Sequence, residues 1–129
     1  MTKLHDLTEI GQAIWLDYIR RSLIVDGGLQ HLIDKGVRGV TSDPAIFEKA
    51  IAQSDDYDDA LRALKGEDLN AEEIYEALAL EDIRMAADTL RPVYDATDGT
   101  DGFVSLEVSP DLAYKTEETI AEARRLFKT

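Results

Sequence analysis

Three short apolar runs, held apart by stretches of helical periodicity, constrain this chain more than any other feature. Ala13-Ile14-Trp15-Leu16 lies between Gly11 and the polar group Asp17 and Arg20-Arg21. Val37 to Thr41 is entered by Gly36 and left by Ser42-Asp43-Pro44, and Phe103 to Val108 follows the turn cluster Asp98-Gly99-Thr100-Asp101-Gly102. Runs of this length bounded by turn residues read as buried strands. Strands that alternate with helical crossovers must pair in parallel, in a sheet covered on both faces or closed into a barrel.

The intervening segments read as helices. Apolar residues recur at three and four from Ile19 to Val25 and from Leu29 to Ile33, with Gly27-Gly28 as the break. Pro44 suits the first position of a helix whose face carries Ile46, Ala50 and Ile51. An acidic turn from Ser54 to Asp59 leads to Leu61 and Leu64. Ala71 to Leu90 then keeps its periodicity for several turns, with Asn70 as N-cap and Glu73 three residues on as its capping-box partner. Pro92 is expected to end or kink that helix. Ile120, Ala123, Leu126 and Phe127 mark one face of a last helix beginning near Thr116, after the close of the third strand at Ser109-Pro110-Asp111.

Composition removes several function classes. With 27 acidic against 14 basic residues the net charge is -13, which opposes approach to a phosphate backbone, so nucleic acid is not an expected partner. No stretch is apolar for the roughly 20 residues a membrane span needs, and no targeting segment is evident, so neither a membrane nor export is expected and the cytoplasm is the default. The absence of cysteine rules out disulfides, thiolate metal sites and a cysteine nucleophile. His5 and His31 show no metal-ligand spacing to carboxylates. The doubled Thr-Asp-Gly at 97 to 102 lacks the spaced ligands of a calcium loop, and the glycines form no phosphate-cradling signature. No cofactor and no metal is expected. Trp15 and the Met85 region read as core. Arg20 and Arg21 read as a helix face paired with local acids.

Chemistry is best placed at the strand ends. Asp17 follows the first strand, Asp43 the second, and Glu107 stands near the end of the third; in parallel α/β folds that edge is where ligands bind. Carboxylates grouped there disfavour one another's ionised forms, which raises a pKa toward the range useful for proton transfer. The plainer alternative makes Asp17 and Asp43 helix N-caps and Glu107 a charge facing water. Three acids without a nucleophile do not by themselves define a reaction.

Gly39-Val40-Thr41-Ser42-Asp43-Pro44-Ala45-Ile46-Phe47-Glu48-Lys49-Ala50-Ile51 resembles the transaldolase signature around the second strand, normally Gly-Val-Thr-Ser-Asn-Pro followed by a similar helix. Phe103 to Pro110 is similar to that family's third strand and Ile14-Trp15-Leu16-Asp17 to its first, and the resemblance runs from about Leu4 to Lys128. It implies the N-terminal part of a (β/α)8 barrel of the class I aldolase type, about three βα units forming a single segment over residues 1–129, with a helical insertion at about 44–97. It also leaves room for a turn or two of helix beyond Pro92. The implied activity is transfer of a dihydroxyacetone unit between sugar phosphates, fructose 6-phosphate and sedoheptulose 7-phosphate, in the pentose phosphate pathway through a lysine Schiff base. By the same resemblance Asp17 assists proton transfer, Glu107 holds a water used as proton shuttle, Thr41 helps to orient it, and Ser42 and Asp43 contact substrate.

Two departures from the family pattern matter. Asp43 stands where the family has Asn, which keeps an acceptor oxygen, loses the amide donor and adds a negative charge that repels phosphate. Furthermore, Lys3, Lys35, Lys49, Lys65, Lys115 and Lys128 all fall in segments read as helices or loops, whereas a Schiff-base lysine has to be desolvated among strand ends. The chain is therefore expected to stop before the lysine-bearing strand and to be inactive alone. Three units cannot close a barrel of roughly 250 residues. Self-association, or pairing with the missing C-terminal part, is the expected way to cover the exposed sheet. Two readings stay open: a fragment of a transferase, and a barrel piece that serves as an oligomerising or binding domain without catalysis. A compact three-stranded sandwich, with helices swung over the open side, is the alternative architecture.

Overall fold

The computed structural model describes residues 1–129 as a mixed α/β chain built around a parallel sheet in the order β1-β2-β3. Helix α1 (Lys3–Glu9) precedes β1 (Ile14–Asp17); α2 (Arg21–Val25) and α3 (Gly28–Asp34) lead to β2 (Val37–Thr41). Three helices follow, α4 (Pro44–Ala52), α5 (Asp58–Leu64) and α6 (Ala71–Ala96), before β3 (Phe103–Ser105), a 3-10 turn at Pro110–Leu112 and α7 (Thr116–Lys128). The expected order of strands and helices, and the parallel pairing, are what the chain adopts.

Register divides the sheet into two chemically different faces. Across the sheet Gly39 of β2 pairs with Trp15 on one side and Phe103 on the other, Val40 with Leu16 and Val104, and Thr41 with Asp17 and Ser105. Because successive side chains point to opposite faces, Leu16, Val40 and Val104 share one side. That side meets Ile19, Ile24, Leu29, Ile33, Phe47, Ala86, Leu90 and Val93, so α2, α3, α4 and α6 gather there and form the main core. A smaller cluster of Ala50, Tyr57 and Leu78 ties α5 to α4 and α6. The sandwich with helices on the open side is not adopted.

Trp15 corrects the expectation that it is core: its alternation with Leu16 turns it to the other face, where it is 37% exposed. The indole lies flat over Gly39, since a Cβ built there would come within 2.4 Å of the ring. Glycine is needed at that position for contact distance, not for backbone freedom.

β3 is shorter than the alternating run Phe103 to Val108 suggests. Its last partner is Thr41, after which the chain leaves the sheet for α4, so Leu106 to Val108 have no ladder to join. Buried Ser42 takes over there: its hydroxyl donates to the Ser105 carbonyl at 2.7 Å. Glu107 thus stands beyond the strand rather than on it. The turn before β3 requires Gly102, at φ 89°, where a Cβ would lie 2.4 Å from the Tyr94 nitrogen.

α6 begins with the expected capping box, in which Asn70 accepts from the Glu73 N–H at 3.0 Å and Glu73 from the Asn70 N–H at 2.8 Å. Pro92 does not stop it; the helix runs on to Ala96. Proline removes one intrahelical bond to the carbonyl four residues back, and both Pro92 and Asp88 lie on the exposed side, where water can serve the freed oxygen. Arg20 and Arg21 do pair with acids, but distant ones. Arg20 grips Asp56 through two bonds of 2.7 and 2.9 Å, and Arg21 reaches Glu81 and buried Asp82 on α6. No helix is long and apolar enough to cross a membrane.

Candidate active site at the strand ends

β1 and β2 end side by side, and their last residues meet. The Thr41 hydroxyl donates to Asp17 Oδ1 at 2.7 Å, on the sheet face that carries Trp15. Asp17 caps no helix, because Arg20 occupies the N-cap of α2. Its carboxylate is exposed and its named partner is Thr41, so it stays open to a ligand approaching the strand ends.

Asp43 has a definite local task. It is the N-cap of α4, its Oδ1 accepting from the Ile46 N–H at 2.8 Å, with Pro44 at the first helical position. An Asp or Asn serves this role equally well, since each offers one side-chain oxygen to the helix start. The capping reading therefore holds for Asp43 and not for Asp17.

Glu107 lies on the far side of this edge. With Pro44, Leu106, Ser109 and Tyr75 it lines a cavity of about 680 Å³ between the start of α6, the segment after β3 and α7. The Tyr75 ring is half-buried, set edge-on to Phe47 with centroids 6.1 Å apart. Burial, and then the Asp43 and Glu107 carboxylates, push its phenol above the ordinary tyrosine value. The chain thus carries two polar groupings at the strand ends: Asp17 with Thr41 on the open sheet face, and Glu107 with Tyr75 lining the cavity, where Asp43 precedes the lining residue Pro44. Ser42 sits between them, buried and committed to Ser105.

Sequence reasoning missed Tyr75. Its spacing from Leu78 and Ala79 is that of any helical core residue, and only the path of β3 brings Glu107 toward it. The lysines Lys3, Lys35, Lys49, Lys65, Lys115 and Lys128 are all exposed, and none is among the residues lining the cavity.

Residues 14–129 match the family model described as transaldolase/fructose-6-phosphate aldolase. The chain is similar to the transaldolase of Thermobifida fusca, at 52% identity over 125 residues, 96% of this chain and 34% of that protein. It is similar to the transaldolase of Thiobacillus denitrificans, at 49% identity over 95% of this chain and 34% of the relative. Transaldolase 2 of Nostoc punctiforme matches at 47% identity over 97% of the chain and 33% of its own length. The chain spans about a third of the length of the curated relatives it matches.

Proposed function

Because the chain belongs to the transaldolase/fructose-6-phosphate aldolase family, we propose that it supplies the proton-transfer half of a transaldolase site and that the Schiff-base lysine comes from outside these residues. In this reading the sheet is the first part of a (β/α)8 barrel, with α4 to α6 as a helical insertion. The pair formed by Asp17 and Thr41 is the observation that carries it. An exposed carboxylate at the end of a parallel strand, oriented by a neighbouring hydroxyl and engaged in no cap, is free to move a proton at a bound ketose.

The reaction has two steps that need such groups. A lysine amine adds to the ketose carbonyl, and loss of water from the carbinolamine requires a proton donor; carbon–carbon cleavage then requires a base to take the proton of the adjacent hydroxyl. Asp17 serves at the substrate, and Glu107 holds the water that carries protons, with Thr41 and Ser42 ordering the edge between them. The substrate is a sugar phosphate such as fructose 6-phosphate or sedoheptulose 7-phosphate, within the pentose phosphate pathway of the cytoplasm. Asp43, a carboxylate where the resemblance calls for an amide, accepts from a sugar hydroxyl and works against a phosphate near it. The 129 residues alone are inactive, and complete a site only with a second part that covers the open sheet.

Borohydride trapping with fructose 6-phosphate, read by intact mass, tests this. The chain alone is expected to give no adduct, and a mixture with the C-terminal part of a related transaldolase an adduct on that added part. An adduct on the chain alone would overturn the placement of the lysine. No adduct in a mixture whose parts are seen to associate would overturn the reading as a whole.

A further inference from the structure

We propose that two copies of this chain associate through α7, the two helices lying antiparallel about a two-fold axis beside Ala123.

α7 has one side turned to the chain and another left open. Thr119, Glu122 and Leu126 are half-buried toward the body, where Arg125 is tied to Glu76 of α6. Thr116, Ile120, Ala123 and Phe127 recur at four, three and four, so they form a second stripe along the helix. Ile120 on that stripe is 40% exposed and Phe127 94%.

Charge decides what covers it. The ion pairs of α7 engage Glu118, Glu122 and Arg125, and leave Glu117, Arg124 and Lys128 unpaired. Glu117 and Lys128 stand 11 residues apart, close to three whole turns, so with Arg124 between them they lie in one row along a single flank of the stripe. This row is acidic at the helix start and basic at its end. A two-fold axis between antiparallel helices keeps each flank on its own side and reverses its direction, which sets Glu117 of each copy against the partner's Lys128. Ile120 then faces the partner's Phe127, and Ala123 meets its own counterpart on the axis, where a small side chain lets the helices come close. Parallel pairing would instead set like charges, and the like ends of the helix dipoles, together.

The choice of a second copy also follows from the wider charge. α7 carries three acidic and three basic residues in a chain of net charge -13, so copies that repel one another elsewhere can meet there. A helix of 13 residues is about 20 Å long, so the contact is smaller than a standard interface and the pair is reversible, forming on the order of 100 μM.

Sedimentation equilibrium of the intact 129-residue chain, from about 10 μM to about 1 mM, tests this. A monomer–dimer equilibrium is expected, weakened about tenfold or more by Ile120→Glu and by Phe127→Glu, both at exposed positions. Direction is read under mild oxidation by introduced cysteines, since the chain has none of its own. Glu117→Cys mixed with Lys128→Cys should form a disulfide between copies, and Lys128→Cys alone should not. A chain that stays monomeric throughout overturns the proposal, and slowed amide exchange in α7 on adding the C-terminal part of a related transaldolase would then identify the other occupant. A dimer indifferent to both glutamate substitutions overturns it as well, because the copies would be meeting elsewhere, as on the sheet face of Trp15. So does ready cross-linking of Lys128→Cys with itself, which only parallel helices allow.

Discussion

The Tyr57 hydroxyl donates to Asp82 Oδ2 at 2.7 Å, and both residues are fully buried. Arg21 completes the group by donating its Nε–H to Asp82 Oδ1 at 2.8 Å, while its backbone N–H donates to the Tyr57 oxygen at 3.1 Å. One carboxylate thus fastens the start of α2 and the start of α5 to the middle of α6. Burial pushes the Asp82 carboxyl up, against the opposing pull of Tyr57 and Arg21. The Tyr57 phenol, desolvated and beside that carboxylate, is raised well above its ordinary value.

Removing Asp82 leaves the buried Tyr57 phenol without its acceptor and the Arg21 guanidinium with Glu81 alone. Asp82→Ala is expected to cost about 3–5 kcal/mol, as for a broken buried ion pair, and Tyr57→Phe about 1–3 kcal/mol for an acceptor left short. Urea denaturation followed by far-UV circular dichroism measures both. Losses below about 0.5 kcal/mol, the scale of an ordinary surface substitution, would show that the group does not hold these helices together.

Acid sensitivity has a definite source in Asp56. Its two bonds from Arg20, and one from the Ser22 N–H at 2.9 Å, hold the carboxyl far below the usual carboxylate range. A depressed folded-state pKa contributes stability above the unfolded value of about 4 and loses it as pH falls below that value toward the folded one. Stability measured from about pH 6 down to pH 3 should therefore fall less steeply in Asp56→Asn than in the unaltered chain. Parallel curves would refute the assignment.

α7 is held differently, by charged groups at the surface. Arg125 bridges Glu76 on α6 and Glu122 on its own helix, and α7 has no buried residue. Exposed ion pairs contribute less than about 1 kcal/mol, so Arg125→Ala should barely move global stability. Amide hydrogen exchange should instead quicken across Thr116 to Lys128 and stay constant in α6. A uniform change in exchange would mean that α7 unfolds only with the whole chain.

Gly39→Ala probes the contact beneath Trp15. With only 2.4 Å between the new methyl carbon and the indole, ring or strand must shift, and a loss of about 1–3 kcal/mol is expected. A variant as stable as its parent in urea would mean that the indole moves aside freely.

Local signals carried the elements, and distant partners were the part that sequence could not supply. Asn70 with Glu73, Pro44 behind Asp43, and the run Val37 to Thr41 each lie within a few residues of what they organise, so capping, helix start and strand could be read directly. Ser42 and Ser105 are 63 residues apart, and Arg21 and Asp82 61 apart; nothing local marks either pair. The end of β3 depended on where β2 leaves the sheet, which is why Leu106 to Val108 looked like strand and are not. Trp15 was misjudged because large aromatic residues in short apolar runs are usually covered, and the choice of face rests on which side the helices take. At the candidate site, Asp17, Thr41 and Asp43 stood out through motif and strand end, whereas Tyr75 joins the acids only through the folded path of α6 and β3.

Trp15 is also the only tryptophan in the chain, so a single fluorophore sits on the bare side of the sheet. Its emission is an internal gauge of what rests there: red-shifted and open to iodide while the indole faces water, blue-shifted and shielded once another strand layer or a second molecule settles on it. The protein thereby carries its own label for every assembly experiment, with no dye to attach and no second tryptophan to subtract.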